Sequence, residues 1–476
     1  MKISPMALLG AVARRVAPMR SIIAAEAASK ARDWPEAVRR WRAILESHGD
    51  KTDAHIHLSK AYRYQGAFDA AETIVQAGLA RQPGRDLAIE YAEIAMARQN
   101  WAEALKRWQA VLALCGHQIP AAAYAMMCRA HRKAGSAEAG RLLIGKGLAL
   151  YPKNVQLLVE RAITDNFLDK PKSKVDLIKS NERQSGPVEI VICVHNAYDA
   201  LGKCLDSIFL NTEADYLLTI VDDCSDAIVK RHLDDLAERR PSLRVLRNSE
   251  NIGYTRSANL GLKAARTDWT VLLNSDTIVT RGWLEGLIKC ARSDSDIKAV
   301  GPLSNAATIQ SIPQDLDADG MFRINKLQRG IELADMAALV CSASRRDFPR
   351  VPLLNGFCML LHRPSVRSVG YFDEVSFPRG YGEETDLCFR LTEAGHKLAI
   401  ADHVYVYHSK TASFTEKERK ALLKEADKNL SRMWTGYSYR YAAKAVADLP
   451  VMIELRQRLK EELSQRLLSD MSKLSS

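Results

Sequence analysis

Acidic side chains gather at three places in the second half of this 476-residue chain. Asp222 and Asp223 close the apolar run Leu-Thr-Ile-Val, and Asn274-Ser275-Asp276 closes Trp-Thr-Val-Leu-Leu. Glu383, Glu384 and Asp386 follow Gly380-Tyr381-Gly382 and open an amphipathic stretch. Open α/β sheets bind ligands outside the carboxyl ends of their strands, where a carboxylate accepts hydrogen bonds from a base edge or a ribose. Asp276 suits a hard divalent cation, since Mg²⁺ takes one or two carboxylates plus substrate phosphates. The amide of Asn274 is placed to reach the ribose. Glu383, Glu384 and Asp386 suit general-base work, in which a carboxylate takes the proton of an attacking hydroxyl. His408, ending Val-Tyr-Val-Tyr, is either a metal ligand or a core histidine. Taken singly, each group also has a plainer role as a helix cap, a strand-to-helix turn or a dipole-favoured first helical turn.

A fourth segment lies between the first two acidic groups: Asn248-Ser-Glu-Asn251-Ile-Gly253-Tyr-Thr-Arg256-Ser-Ala-Asn259-Leu-Gly261. Its glycines permit close backbone approach, and it leads into a helix whose N-terminus favours anions. Asn251, Gly253, Arg256 and Asn259 are therefore candidate nucleotide contacts. The segment is not GxGxxG, so a Rossmann dinucleotide site gains no support.

These groups need a sheet to hold them. From Val188, apolar runs of five to seven residues alternate with longer amphipathic stretches, the mark of βα units and a mostly parallel sheet. Strands are expected at 188–194, 217–221, 243–246, 270–273, 298–300 and 354–361, and helices near 201–209, 228–239, 256–265 and 283–291. Upstream the period is helical and repeats. Trp34, Phe68, Trp101 and Ala137 recur at steps of 34, 33 and 36. Each is followed by a small residue (Ala37, Ala71, Ala104, Gly140), an apolar one (Trp41, Val75, Trp108, Ile144) and a leucine (Leu45, Leu79, Leu112, Leu148). Gly49, Pro83, Gly116 and Pro152 close the units. Small residues let paired helices approach, and units of this size bury their faces only by stacking.

The chain thus reads as an N-terminal segment (1–24), a helical array (25–167), a polar, Lys-rich linker (168–187), an α/β domain (188–413) and a charged helical tail (414–476), expected to be solvated or capping. Charged residues at 26% and apolar ones at 47% exclude wholesale disorder. No apolar run reaches the roughly 18 residues of a membrane span. A net charge of +11 permits a phosphate-bearing or anionic-lipid partner. No basic-aromatic reading motif accompanies it, so a nucleic-acid partner is not expected. Nine cysteines without a CxxC pair indicate free thiols in a reducing compartment.

In order and spacing, VEIVICVHN, IVDD, NIGYTRSANLG, VLLNSD, NGFCMLLHR, GYFDE, YGEETDLCFR and VYVYH resemble glycosyltransferase family 2 over roughly residues 188–413. The helical array resembles the tetratricopeptide repeat. The resemblance implies a GT-A nucleotide-diphospho-sugar transferase domain, an α/β Rossmann-like sheet preceded by an all-α solenoid. It places Asp222 and Asp223 by the base and ribose, Asp276 and His408 on an Mg²⁺ or Mn²⁺ ion and diphosphate, and Glu384 as the base. Three positions depart from the family pattern: Asn274 for the first D-x-D acid, Glu384 for the commoner Asp, and Val194-His195-Asn196 at the end of the first strand. The implied activity is sugar transfer from a nucleotide-diphosphate donor to a glycan or lipid-linked hydroxyl in cell-surface polysaccharide or lipopolysaccharide assembly. Its expected setting is the cytoplasm, with peripheral contact at the inner membrane face and a protein partner at the repeats left open. The alternative is a repeat-based scaffold protein carrying a degenerate transferase domain.

Overall fold

The computed structural model describes residues 19–47, 52–168, 186–240, 242–317, 322–410 and 415–474. Gly49, most of the N-terminal segment and nearly all of the expected linker lie outside these. The chain divides into two compact units, 1–147 and 148–476.

The first unit is all-helical. Helices begin at the repeating residues themselves: Trp34–Ser47, Phe68–Arg81, Trp101–Cys115 and Ala137–Leu150. Ala37, Ala71 and Ala104 are fully buried, and Gly140 must be small because a Cβ there would lie 3.1 Å from the Cys128 carbonyl oxygen. Trp41, Val75, Trp108 and Ile144 fill the seam between helices. The recurring leucines do not. Leu45, Leu79 and Leu112 are half-buried, and the residue before each (Ile44, Gly78, Val111) is the buried one. Counted from the small residue of each unit, seven residues of helix sweep about 700°, only about 20° short of two full turns, whereas the leucine eight residues on lies about 80° past them and so falls beside the seam.

In the second unit, eight strands form one mixed sheet: β1 (Val188–Val194), β2 (Tyr216–Asp222), β3 (Leu243–Arg247), β4 (Trp269–Asn274), β5 (Thr277–Val279), β6 (Ile297–Leu303), β7 (Cys358–His362) and β8 (Lys397–His408), in the order β3-β2-β1-β4-β7-β6-β8-β5. β3, β2, β1 and β4 are parallel, as the βα pattern predicts. β7 runs antiparallel between β4 and β6, and β5 antiparallel to β8. The sequence reading contains neither β5 nor β8. β5 has only three residues, and β8 is buried along almost its whole length, so it lacks a half-buried strand's alternation.

The helix Val155–Leu168, assigned to the repeats by its period, belongs to the second unit. It is buried nearly all round, and Glu160 accepts a hydrogen bond from the Tyr441 hydroxyl at 2.8 Å.

The C-terminal stretch is helical as expected, but it is not a solvated tail. Helices Glu416–Met433, Tyr439–Ala447 and Pro450–Leu474 insert Leu430, Trp434, Val446, Met452, Leu455 and Leu459 into the same core as the sheet residues Val191, Val221 and Met359. Charge on the outer faces hides this in a composition count. Trp434 is 2% exposed and packs on Phe389 at 5.3 Å between ring centroids. Trp434→Ala should cost about 3–5 kcal/mol, the usual range for deleting a buried aromatic side chain. A urea titration checks this, and a variant as stable as wild type would show the C-terminal helices to be dispensable packing.

Candidate active site

The site builds from the carboxyl edge of β1, β2 and β4. Asp222 and Asp223 end β2, both buried. Asp222 Oδ1 accepts from the Ser225 amide at 2.9 Å, and Arg247 Nε stands 3.4 Å from Oδ2. Asp223 accepts four bonds: from Asn248 Nδ2 (2.8 Å) and the Ile252 amide (2.9 Å) at Oδ1, from the Gly253 amide at Oδ2 (3.0 Å), and, through its carbonyl, from His195 Nδ1 (2.8 Å). The structure therefore engages both carboxylates with protein partners that shape the loops of this edge.

The segment from Asn248 to Gly261 is held between that edge and the loop preceding Glu383. Gly253 has φ +88°, and a Cβ there would lie 2.7 Å from the Pro378 carbonyl oxygen, so only glycine fits. Asn251 is exposed and caps the Gly253 amide at 3.1 Å. Asn259 is buried and clamps Phe372 from both sides, donating to its carbonyl (2.9 Å) and accepting from its amide (3.0 Å). Arg256 is half exposed, 4.0 Å from Glu374. Of this segment's predicted contacts, Gly253 and Asn259 thus serve its attachment to the 372–380 loop.

Asp276 and His408 meet. Their strands pair, Thr277 opposite His408, and His408 Nε2 lies 3.3 Å from Asp276 Oδ1. Asn305 grips the His408 backbone at both ends, at 2.8 and 3.1 Å. The imidazole stacks on Phe357 at 5.1 Å, and its Nδ1 stands 3.2 Å from the Ala306 carbonyl oxygen. Only a protonated Nδ1 makes that contact favourable, which leaves the Nε2 lone pair of a neutral ring facing the carboxylate. Two lone pairs at that distance attract a proton or a cation between them.

Glu383 and Glu384 open the helix Glu383–Glu393. Glu384 is partly exposed, and its Oε2 accepts from the Gly382 amide at 3.1 Å. Burial raises its pKa above the ordinary glutamate value, against the pull of backbone donors and of Lys410. Glu383 is 5% exposed, and its Oε2 has no hydrogen-bond partner among the described residues. Burial, then the charge of Glu384, pushes it well above the usual range. Because the folded pKa is raised, stability contributed by the protonated form is complete below the unfolded value and is lost as pH rises above it. Glu383→Gln should therefore gain in melting temperature over wild type as pH climbs from 4.5 to 8, read by calorimetry. A gap that does not change with pH would sink this account.

Asp386 stands apart from its neighbours. Its Oδ1 accepts from Trp434 Nε1 at 2.9 Å and its Oδ2 from Arg390 Nε at 2.7 Å, fully buried. Arg390 in turn holds the carbonyls of Val369, Gly370 and Tyr371. This acid locks the helix to the core, and every partner it has is structural.

The sequence model described as Glycosyl transferase family 2 matches residues 189–306, from the start of β1 to the Asn305 clamp. That match covers about a quarter of the chain and the first half of the sheet domain. The matched residues lie in the mixed sheet, which is preceded by an all-helical region and followed by helices. A relative in Mycobacterium tuberculosis named pre-mycofactocin glycosyltransferase is 30% identical over 230 residues, 47% of this chain and 44% of that one. Another, in Macaca fascicularis, is named inactive polypeptide N-acetylgalactosaminyltransferase-like protein 5, at 30% over 257 residues, 51% of this chain and 54% of that one. The chain thus spans about half the length of these relatives. Among solved structures, GalNAc-T7 with UDP, GalNAc and Mn²⁺ aligns at TM-score 0.39 and 18% identity over 59% of this chain and 55% of that one. The mannosyltransferase PcManGT from Pyrobaculum calidifontis aligns at 0.40 and 14%, over 63% and 86%.

Two further residues stand near these acids that the sequence motifs did not single out. Tyr254 places its hydroxyl 3.5 Å from Asn274 Oδ1, and its titration feels Glu383, Glu384 and Asp276 together. Lys410, in a left-handed conformation (φ +55°), feels both Asp276 and Glu384, and burial lowers its pKa. Both acidic groups therefore act electrostatically on the same two residues. Tyr254 lies within the 248–261 segment but is not among its predicted contacts, and Lys410 lies just past the VYVYH run; the fold brings both to the site. Among the described residues no group of three or more His, Cys, Asp or Glu is placed to hold a metal. Asp276 and His408 make a two-ligand set, which fits a divalent ion only if substrate phosphate oxygens complete the coordination. No described helix is long and apolar enough to cross a membrane.

Proposed function

We propose that this protein is an inverting glycosyltransferase that moves a sugar from a nucleotide-diphosphate donor to a hydroxyl acceptor. The observation that carries the reading is that one loop lies against both acidic groups: a Cβ on Gly356 would sit 3.4 Å from the Glu384 Cβ, and the next residue, Phe357, stacks on His408, whose Nε2 is 3.3 Å from Asp276. Glu384 takes the proton of the acceptor hydroxyl while its oxygen bonds to the anomeric carbon. The bond from that carbon to the diphosphate breaks on the opposite face, and the diphosphate leaves with the electron pair. A raised base pKa brings proton affinity closer to what a hydroxyl needs at neutral pH. Lys410 supplies positive charge on the leaving side. Asp276 and His408 would hold a Mg²⁺ or Mn²⁺ ion, which when bound supplies charge neutralisation of the diphosphate. The carboxyl edge of β1 and β2, shaped by Asp222 and Asp223, is the proposed base and ribose side, with Asn274, Asn251 and Arg256 at its rim.

The acceptor is proposed as a glycan or lipid-linked sugar in cell-surface glycan assembly, acted on in the cytoplasm at the inner membrane face. Nine free cysteines support a reducing compartment. The helical unit is proposed to bind a protein partner or to present the acceptor. The test is a product assay of the purified chain against UDP-, GDP- and dTDP-sugars with Mn²⁺, run beside Glu384→Gln. Absence of nucleoside-diphosphate binding under every condition would instead favour a scaffold protein with a degenerate domain, a reading supported by Asn274 at the first acid position.

A further inference from the structure

The helix Glu416–Met433 has two unlike faces. Ala426 and Leu430 enter the core, and a Cβ on Gly382 would lie 3.2 Å from the Ala426 Cβ, so the helix backs directly onto the turn before Glu383 and Glu384. The opposite face is cationic. Successive helical residues turn by about 100°, so Lys417, Lys424 and Lys428 fall within roughly 40° of one line, with Lys420 and Arg432 about 60° to either side. All are exposed, and the row runs along roughly 22 Å of helix. Glu416, Glu418, Glu425 and Asp427 lie outside that arc. Glu416 pairs with Lys420 at 2.7 Å, Glu418 accepts from the Thr415 amide at 2.9 Å, and Asp427 accepts from the Tyr437 hydroxyl at 3.3 Å. Among the described residues Lys417, Lys424, Lys428 and Arg432 make no ion pair.

A row of like charges held apart from its own acids repels itself, and a counter-charge from outside relieves it. Lysine ammoniums on flexible stems bond as point charges, where arginine bonds as a planar fork, so a lysine row suits a field of phosphates without fixed geometry. The apolar neighbours choose the field. Asn429, beside Lys428, donates to the Ser376 carbonyl at 2.9 Å, and the adjoining Val375 is 90% exposed. Leu423, beside Lys424, is 45% exposed. A bilayer offers headgroup phosphates to the lysines and an acyl boundary to the aliphatic side chains, whereas a nucleic acid or an acidic peptide leaves the latter in water. We propose that the outer face of this helix docks the protein on an anionic lipid bilayer, with Val375 and Leu423 at the rim of the contact. The surface needs no sugar transfer to exist; only its assignment to the inner membrane face rests on the functional reading above.

Co-sedimentation of the full chain with vesicles of phosphatidylcholine and phosphatidylglycerol at about 3:1, beside vesicles of phosphatidylcholine alone, reads the contact. Wild type should bind the anionic vesicles and not the neutral ones, and binding should fall as salt rises. Each basic residue near such a surface is worth roughly a fivefold gain in partitioning, so Lys417→Gln, Lys424→Gln and Lys428→Gln combined should bind about 10–100-fold more weakly. Glutamine is as good a helix former as lysine, so folding is not the variable. Arginine at the same three positions should bind as wild type does. Lys106→Gln, Lys133→Gln and Lys146→Gln combined remove the same charge from exposed positions of the first unit, and should leave binding unchanged. The proposal is overturned if wild type binds neither vesicle or both alike, if the helix variant binds as wild type does, or if the first-unit variant loses as much. It is equally overturned if a short duplex DNA binds wild type more tightly than the anionic vesicles do. Vesicle binding lost only in the helix variant, with no product from any sugar nucleotide, would overturn the transferase reading and leave the docking surface standing. Product without vesicle binding would do the reverse.

Discussion

Glu384→Gln should lower transfer turnover by about 10²–10⁴-fold while leaving nucleoside-diphosphate affinity near wild type, the loss expected when a general base is removed. The amide keeps the shape and can still accept from the Gly382 amide, so folding is not the variable. What it cannot do is take a proton. The pH dependence is a second, independent readout. Burial raises the Glu384 carboxyl, so the acid limb of the wild-type profile should lie above the ordinary glutamate range, with activity falling as pH drops and the base protonates. Glu383 sits beside it and titrates with it, so the limb reports the pair. Steady-state kinetics across pH 5–9, with a calorimetric check of nucleotide binding, tests both parts. Full turnover in the Gln variant would remove Glu384 from the mechanism.

Asp276→Asn is expected to abolish the Mn²⁺-dependent gain in nucleoside-diphosphate affinity and to lower turnover by about 10²–10³-fold, or roughly 2.7–4 kcal/mol of barrier. Two unit charges 4 Å apart are worth about 4 kcal/mol at an effective dielectric near 20, so removing the one carboxylate of a two-ligand set is a large fraction of the available attraction. His408→Ala should act in the same direction, since its Nε2 lies 3.3 Å from Asp276. Isothermal titration of UDP and GDP with and without Mn²⁺ separates the metal effect from general loss of binding. If the Asn variant keeps the metal-dependent gain, the cation is held elsewhere.

Local signals carried much of this molecule. Trp34, Phe68, Trp101 and Ala137 mark helix starts in the sequence because helical period and breaker residues are properties of a few consecutive positions. Asp222, Asn274 and Glu383 were legible as strand ends or helix starts for the same reason, and the parallel pairing with β1 places the first two at one edge of the sheet. Partner choice was not legible. Asp386 and Glu384 are two residues apart in one acidic run, yet Trp434 and Arg390 claim the first. Leu430, Trp434 and Val446 lie in stretches that read as charged surface, because outward charge outnumbers the inward apolar stripe.

By itself the sequence determined the order of the first four strands and the helices between them, the acids at their carboxyl ends and the helices of the first unit. Each depends on residues within a turn or a strand of one another. The tertiary structure alone decided that β7 and β5 run antiparallel, that His408 Nε2 comes within 3.3 Å of Asp276, the pair the family resemblance had implied, and that Tyr254 and Lys410 feel the acids. These contacts span tens to hundreds of residues, and burial and hydrogen-bond satisfaction over the whole core, which no local pattern encodes, select among them.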